Sequence, residues 1–242
     1  MRKNIVRVKN KAQLAAVIGR EDVSGIILES GCLPLPETDK QLWVALPDVA
    51  REQKLASIEK IIERGRGAGF LIRNLDELEM LAGFEGPVLG DAFLYAYNKE
   101  AVALYQSLFP QMEFIASDEL TDDEMAALER NSGVKFIYKI YGYQQLMITA
   151  QCMNRNYFGC ERPKVDFSDE KGNSFAMTSE CGQCMDIVYN GLPTSMLDKD
   201  VSADTVLYDF TLESADEVSA VLDYGAAAVK EYTRGHHFKG VD

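Results

Sequence analysis

The chain has 242 residues, 47% of them hydrophobic and 26% charged, and a formal net charge of −13. That balance describes an ordinary globular chain and excludes disorder, and the acidity argues against a broad nucleic-acid surface. No apolar run approaches the ~20 residues of a membrane span, and the basic start MRKNIVRVKNK lacks the apolar stretch of a signal peptide. A cytoplasmic location without membrane attachment is therefore expected.

In chain order, strand patterns occupy residues 4–8, 25–29, 41–46, 69–72, 87–90, 113–116, 134–141 and 205–210. Helical patterns at 11–18, 51–64, 75–82, 99–108, 122–130 and 215–232 lie between most of them. Three helix starts carry a capping box, in which a side-chain oxygen and a Glu three residues on satisfy each other's free backbone donors. These are Asn74 with Glu77, Thr121 with Glu124, and Ser214 with Glu217; Asn98 is a simpler cap.

Eight strands alternating with helices predict an α/β fold, an irregular (β/α)8-type barrel over residues 1–242. An open doubly wound sheet is the runner-up. Only a loop separates the second and third strands. A long insertion, residues 142–204, separates the seventh and eighth, and within it a hairpin turns around Gly172. Function is expected at the C-terminal strand ends, which gather Glu29, Asp48, Asn74, Asp91, Glu119, Tyr141 and Asp209 near one face. Asp91, Asn98, Glu119 and Tyr141 form a candidate polar site there. Arg234 and His236, in the basic TRGHHFKGV ending, are expected to lie near the insertion and join it.

Five cysteines without a secretory signal point to thiolate chemistry or burial rather than disulfides. Cys32 stands alone and reads as a structural thiol. Cys152, Cys160, Cys181 and Cys184 lie within 33 residues, spaced x7, x20 and x2. The CGQC pair lets both sulfurs turn toward one ion, so these four residues are the candidate metal ligands. Spacing alone leaves zinc and an iron–sulfur cluster open, since only one of the pairs is short. No HExxH helix, GxSxG elbow or Gly-rich phosphate loop is present, and the only histidines are His236 and His237.

The run YGYQQLMITAQC, a second Cys, a D-x-x-G hairpin and CGQCMDIVYNGLP resemble the C-terminal part of the bacterial collagenase-like peptidase family U-thirty-two. GDAFLYAYNKEA, IASDELTDDEM, DFTLES and TRGHHFKGV resemble further segments of that family. The N-terminal Glu- and Cys-containing signature is missing, so the resemblance is to the second module of a longer member, with other modules of the same polypeptide as partners.

That resemblance implies a 4Fe–4S cluster on the four cysteines, with zinc as the alternative. It also implies a role in hydroxylating RNA or a small molecule, or in peptide hydrolysis, with RNA or peptide as substrate. The competing expectation is a non-catalytic module whose zinc only staples the insertion to the barrel.

Overall fold

The computed structural model describes residues 2–181 and 183–239. Its sheet has eleven strands, eight of which close a parallel barrel: β1 (Lys3–Val8), β2 (Gly25–Leu28), β3 (Gln41–Ala45), β4 (Gly69–Ile72), β5 (Val88–Gly90), β6 (Glu113–Ile115), β7 (Phe136–Thr149) and, closing against both β1 and β7, β11 (Thr205–Asp209). The helices are α1 (Lys11–Val17), α2 (Leu55–Arg64), α3 (Leu75–Met80), α4 (Lys99–Leu108), α5 (Asp122–Ser132), α6 (Met153–Phe158) and α7 (Ala215–Tyr224). The three capping boxes form as the sequence predicts. No helix among the described residues is long and apolar enough to cross a membrane.

Strand alternation divides the apolar residues into two layers. One set, Val6, Ile26, Val44, Phe70, Phe114 and Val206 among them, packs outward under the helices. The other fills the barrel: Ile5, Ile27, Trp43, Ala45, Leu71, Leu89, Ile115, Ile137 and Leu207. Trp43 is the bulkiest of these, and the flanking strands begin with glycine to admit it. A Cβ on Gly25 would lie 2.7 Å from the Trp43 ring, and one on Gly69 would lie 2.5 Å from it and 2.4 Å from the Pro87 carbonyl.

Two elements differ from the sequence reading. β7 does not stop at Tyr141; it runs on to Thr149 and pairs antiparallel with β10 (Met185–Ser195). β10 in turn pairs with β9 (Ser174–Glu180), and β9 with the edge strand β8 (Lys164–Ser168). The insertion is thus an antiparallel extension of the barrel's own strand. Alternating residues beyond Gly142 are polar or exposed, which concealed the continuation.

α7 ends at Tyr224, not at 232, because Gly225 takes φ 55° and a short 3-10 turn follows. The chain beyond is no helix. It lies against the end of β10, where Thr233 pairs with Thr194.

The Trp43 plug generates a prediction. Gly69→Ala forces a methyl into backbone and ring at once and should lower stability by ~1–3 kcal/mol. Adding Trp43→Leu should recover part of that loss. Urea denaturation of the single and double variants measures both effects.

Candidate functional site

Two residues beyond the apolar filling, at the next inward position of each strand, the side chains become charged. Arg7, Glu29, Arg73, Asp91, Lys139 and Asp209 occupy the C-terminal mouth of the barrel, and Asp48 and Asp118 reach in from the loops after β3 and β6. Buried charge is tolerated only when paired. Here Glu29 Oε1 accepts Arg7 Nε at 3.0 Å and Nη2 at 2.8 Å, and also receives Arg73 Nη2. Arg73 Nη1 binds Asp48 at 2.8 Å, and both guanidiniums stand 3.4 Å from Asp91 Oδ2. Lys139 pairs with Asp118.

Burial would raise the Glu29 carboxyl, but Arg73, Arg7 and Lys9 outweigh it and hold it at about 2. For Asp91 burial wins, helped by Asp209 and Asp48, so it keeps its proton to higher pH than an ordinary aspartate.

The insertion roofs this mouth. Lys9, just past β1, reaches Thr178 Oγ1 at 3.3 Å, the Tyr189 hydroxyl at 3.0 Å and Glu180 at 2.8 Å. Beneath Tyr143, Gln145 and Tyr189, beside Arg7, Asp91, Lys139 and Asp209, a gap of about 20 Å³ remains, room for one water. A larger cavity of about 290 Å³ opens to the side, between Glu29, Asp48 and Arg73 of the barrel, Lys60 and Arg64 of α2, and Glu180 and Gln183 of the insertion. Two acceptors there are buried without a partner, Asp48 Oδ1 and Gln183 Oε1. Gln183 is the inner residue of CGQC. Its carbonyl accepts Arg51 Nη1 at 3.3 Å and its amide reaches Ser57 at 3.4 Å, which docks the cysteine turn on the barrel rim.

The cysteines themselves come from two places. Cys152 and Cys160 bracket α6; Cys181 and Cys184 lie in the turn between β9 and β10. All five cysteines are free, and Cys32 is buried apart beneath the Val8 carbonyl. Burial raises the Cys181 thiol, and the neighbouring Cys152 and Cys160 thiols add to the effect. Cys184 Sγ lies 3.8 Å from the Cys181 carbonyl.

Cys160 and Cys184 adopt φ 69° and 53°, a left-handed backbone that non-glycine residues occupy at a cost of about 1–2 kcal/mol. Cys152 Sγ accepts the Arg155 N–H at 3.4 Å. Two buried side chains brace the pair of loops. Asn154 takes the Arg162 N–H at 2.8 Å and points its amide at Cys181 Sγ, 4.0 Å away. Asp186 takes the Met153 N–H at 2.5 Å and the Ser179 hydroxyl at 2.6 Å. Among the described residues no three His, Cys, Asp or Glu side chains stand at metal-ligand spacing. The donor type is that of a thiophilic centre, and Cys152, Cys160, Cys181 and Cys184 are the residues that would hold one.

Of the predicted polar site, only Asp91 belongs to the mouth. Asn98 caps α4 through the Ala101 N–H at 2.8 Å. Glu119 accepts the Tyr97 hydroxyl at 3.0 Å at the surface. Tyr141 points out of the barrel toward Glu213.

Arg234 and His236 are engaged away from the cysteine loops. Arg234 forms a two-pronged pair with Asp198 at 2.6 Å and donates to the Ser195 carbonyl, and His236 Nδ1 is 3.2 Å from the Lys239 carbonyl. His237 instead contacts Asp122 and Tyr138. The sequence reading missed Arg7, Arg73 and Lys139. Their signal was a charge in an apolar strand at inward parity: NIVRV, GFLIRN and FIYKIY.

Comparison with protein-family models, curated proteins and solved structures finds no match.

The mouth makes a pH-dependence testable. Glu29 is held below its ordinary 4.5, so its contribution to stability is complete above that pH and is lost as pH falls toward about 2. Glu29→Gln should destabilise the protein at pH 7 and flatten the decline between pH 4.5 and about 2. Arg73→Met, which leaves Asp48 without its cation and Glu29 and Asp91 with Arg7 alone, should cost ~3–5 kcal/mol at pH 7. Guanidinium denaturation across pH checks both.

Proposed function

We propose that this chain is the iron–sulfur module of a protein of the collagenase-like peptidase family U-thirty-two, with a 4Fe–4S cluster on Cys152, Cys160, Cys181 and Cys184. The observation that supports the reading is that Cys152 and Cys160 lie near enough to Cys181 to raise its thiol, in a segment docked on the barrel mouth. A cluster bound there supplies electron transfer or a Lewis-acidic iron beside the mouth cavity.

The chain's own residues supply the rest. Asp48 and Gln183 present unpaired acceptors that orient an N–H or O–H of a substrate, while Lys60 and Arg64 favour an anionic group at the rim. Tyr189 and Tyr143 leave the inner mouth room for a single water, and burial raises the Asp91 carboxyl beside it. In this reading the substrate is RNA or a small molecule undergoing hydroxylation. Arg155, Arg162 and Lys164, with the exposed Tyr157, offer the outer face of the insertion to a polymer. The rest of the polypeptide's modules are the partners, and a reducing compartment, the cytoplasm, suits five free thiols.

One observation favours a second reading, in which the metal is a zinc staple and the module is not catalytic. β8 is exposed at four of its five positions, so the outer insertion has little core of its own. Peptide hydrolysis has no comparable support: His236 and His237 contact none of the cysteines.

Anaerobic preparation with iron and sulfide should give a brown protein with about four irons and four sulfides per chain and a paramagnetic signal on reduction. Cys181→Ser and Cys184→Ser should lose both metal and sulfide and several kcal/mol of stability. One zinc per chain without colour would establish the staple instead. Wild type that binds neither metal, with variants melting like wild type, would reduce the four residues to packed thiols.

A further inference from the structure

A second cavity, of about 430 Å³, lies outside the barrel, away from the cysteines, and shares only Tyr143 with the lining of the mouth. It is framed by the outer part of β7, the β8–β9 hairpin, Gly191 of β10 and the turn from β11 into α7. Gly191 permits the close approach that shapes it, since a Cβ there would meet the Ser174 carbonyl at 2.3 Å. Its floor is Glu213, only 7% exposed. Glu213 Oε2 accepts the Thr211 and Leu212 N–H groups at 2.8 and 3.0 Å, but its Oε1 is buried with no hydrogen-bond partner. The Tyr141 hydroxyl is near the carboxyl without completing a hydrogen bond to Oε1.

We propose that this cavity binds an alkylammonium group, with Glu213 as its buried counter-ion and Tyr143, Phe167 and Phe175 as its aromatic wall. Three carboxylates, Glu213, Glu217 and Asp166, face it against a single cation, Lys164 at the rim. Phe167 and Phe175 stack on each other at 5.4 Å and line the cavity, and an aromatic lining suits an organic cation better than a hydrated metal ion. Oε1 is an acceptor waiting for a donor, and a charged donor is the strongest partner for a carboxylate in such a place.

The groups facing Glu213 are Tyr141 and Tyr143 from β7, Asp166 and Lys164 from β8, and Glu217 from α7. Burial pushes the Glu213 carboxyl up to about 7, only partly offset by the two N–H groups and Tyr141. It is therefore mostly neutral at pH 6 and mostly ionised at pH 8. The ammonium should bind about tenfold more tightly at the higher pH.

The full chain is titrated calorimetrically with putrescine, and separately with Nα-acetyl-lysine methylamide, at pH 6 and pH 8. Saturable binding strengthened about tenfold at pH 8 supports the site. Putrescine alone binding identifies a free polyamine as the ligand, and the lysine amide alone identifies a lysyl side chain. Glu213→Gln, which keeps an oxygen for the two N–H groups, should weaken binding at least tenfold and remove its pH dependence. Asp166→Asn, at an exposed position outside the core, should weaken it several-fold with the circular dichroism spectrum unchanged, and it decides the matter if the Glu213 variant does not fold. No saturable binding by the wild type at millimolar amine, or equal affinity in wild type and the variants that fold, overturns the proposal.

Discussion

Two guanidiniums and an ammonium cannot sit inside a closed barrel unless carboxylates meet them there, and the upper half of this molecule is organised by that requirement. Glu29 takes both Arg7 and Arg73 on one oxygen, Asp91 stands between the same two arginines, and Asp48 and Asp118 come in from loops. Each loop that supplies a carboxylate is thereby fixed in position over the mouth. Lys9 extends the pattern beyond the barrel, and through Glu180, Thr178 and Tyr189 it ties the insertion to the same array of charges. The lower half needs no such balance. Shape governs it, with one indole filling the space that two strands leave by starting with glycine.

The barrel was legible because alternation and caps act locally. Each apolar run is short, and Asn74, Thr121 and Ser214 announce helix starts whatever the tertiary context. What escaped depends on partners distant in sequence. Arg7 in NIVRV reads as a surface residue until Glu29 and Asp91, 22 and 84 positions away, are brought beside it. Tyr141 and Glu119 sit near strand ends, yet the pleat and the loop aim them outward. The tail was misread because its basic residues found acidic and carbonyl partners beside β10 and α5 rather than at the cysteines. A sequence shows the charge of Arg234 but not that Asp198 is waiting for it.

The two sides of the insertion differ in kind. Its inner side meets the barrel through polar contacts from Lys9, Arg51 and Ser57, with buried acceptors left over. Its outer side ends in the edge strand β8, which pairs only with β9 and is exposed at four of its five positions. Order at the inner side therefore rests on hydrogen bonds and on the loops that carry the thiols, and these are braced by Asn154 and Asp186 rather than by an apolar core.

β7 belongs to two sheets at once, parallel to β6 and β11 along its first half and antiparallel to β10 along its second. Gly142, at φ 153° and against the Asp209 carbonyl, marks the change of partner. Because side chains alternate with a period of two, removing one residue between Gly142 and Thr149 would invert every later position in the strand. The face of the insertion now turned to the barrel would then look outward. A residue added or removed at the turn around Gly172 leaves that alternation untouched, whereas one within β7 turns the insertion over.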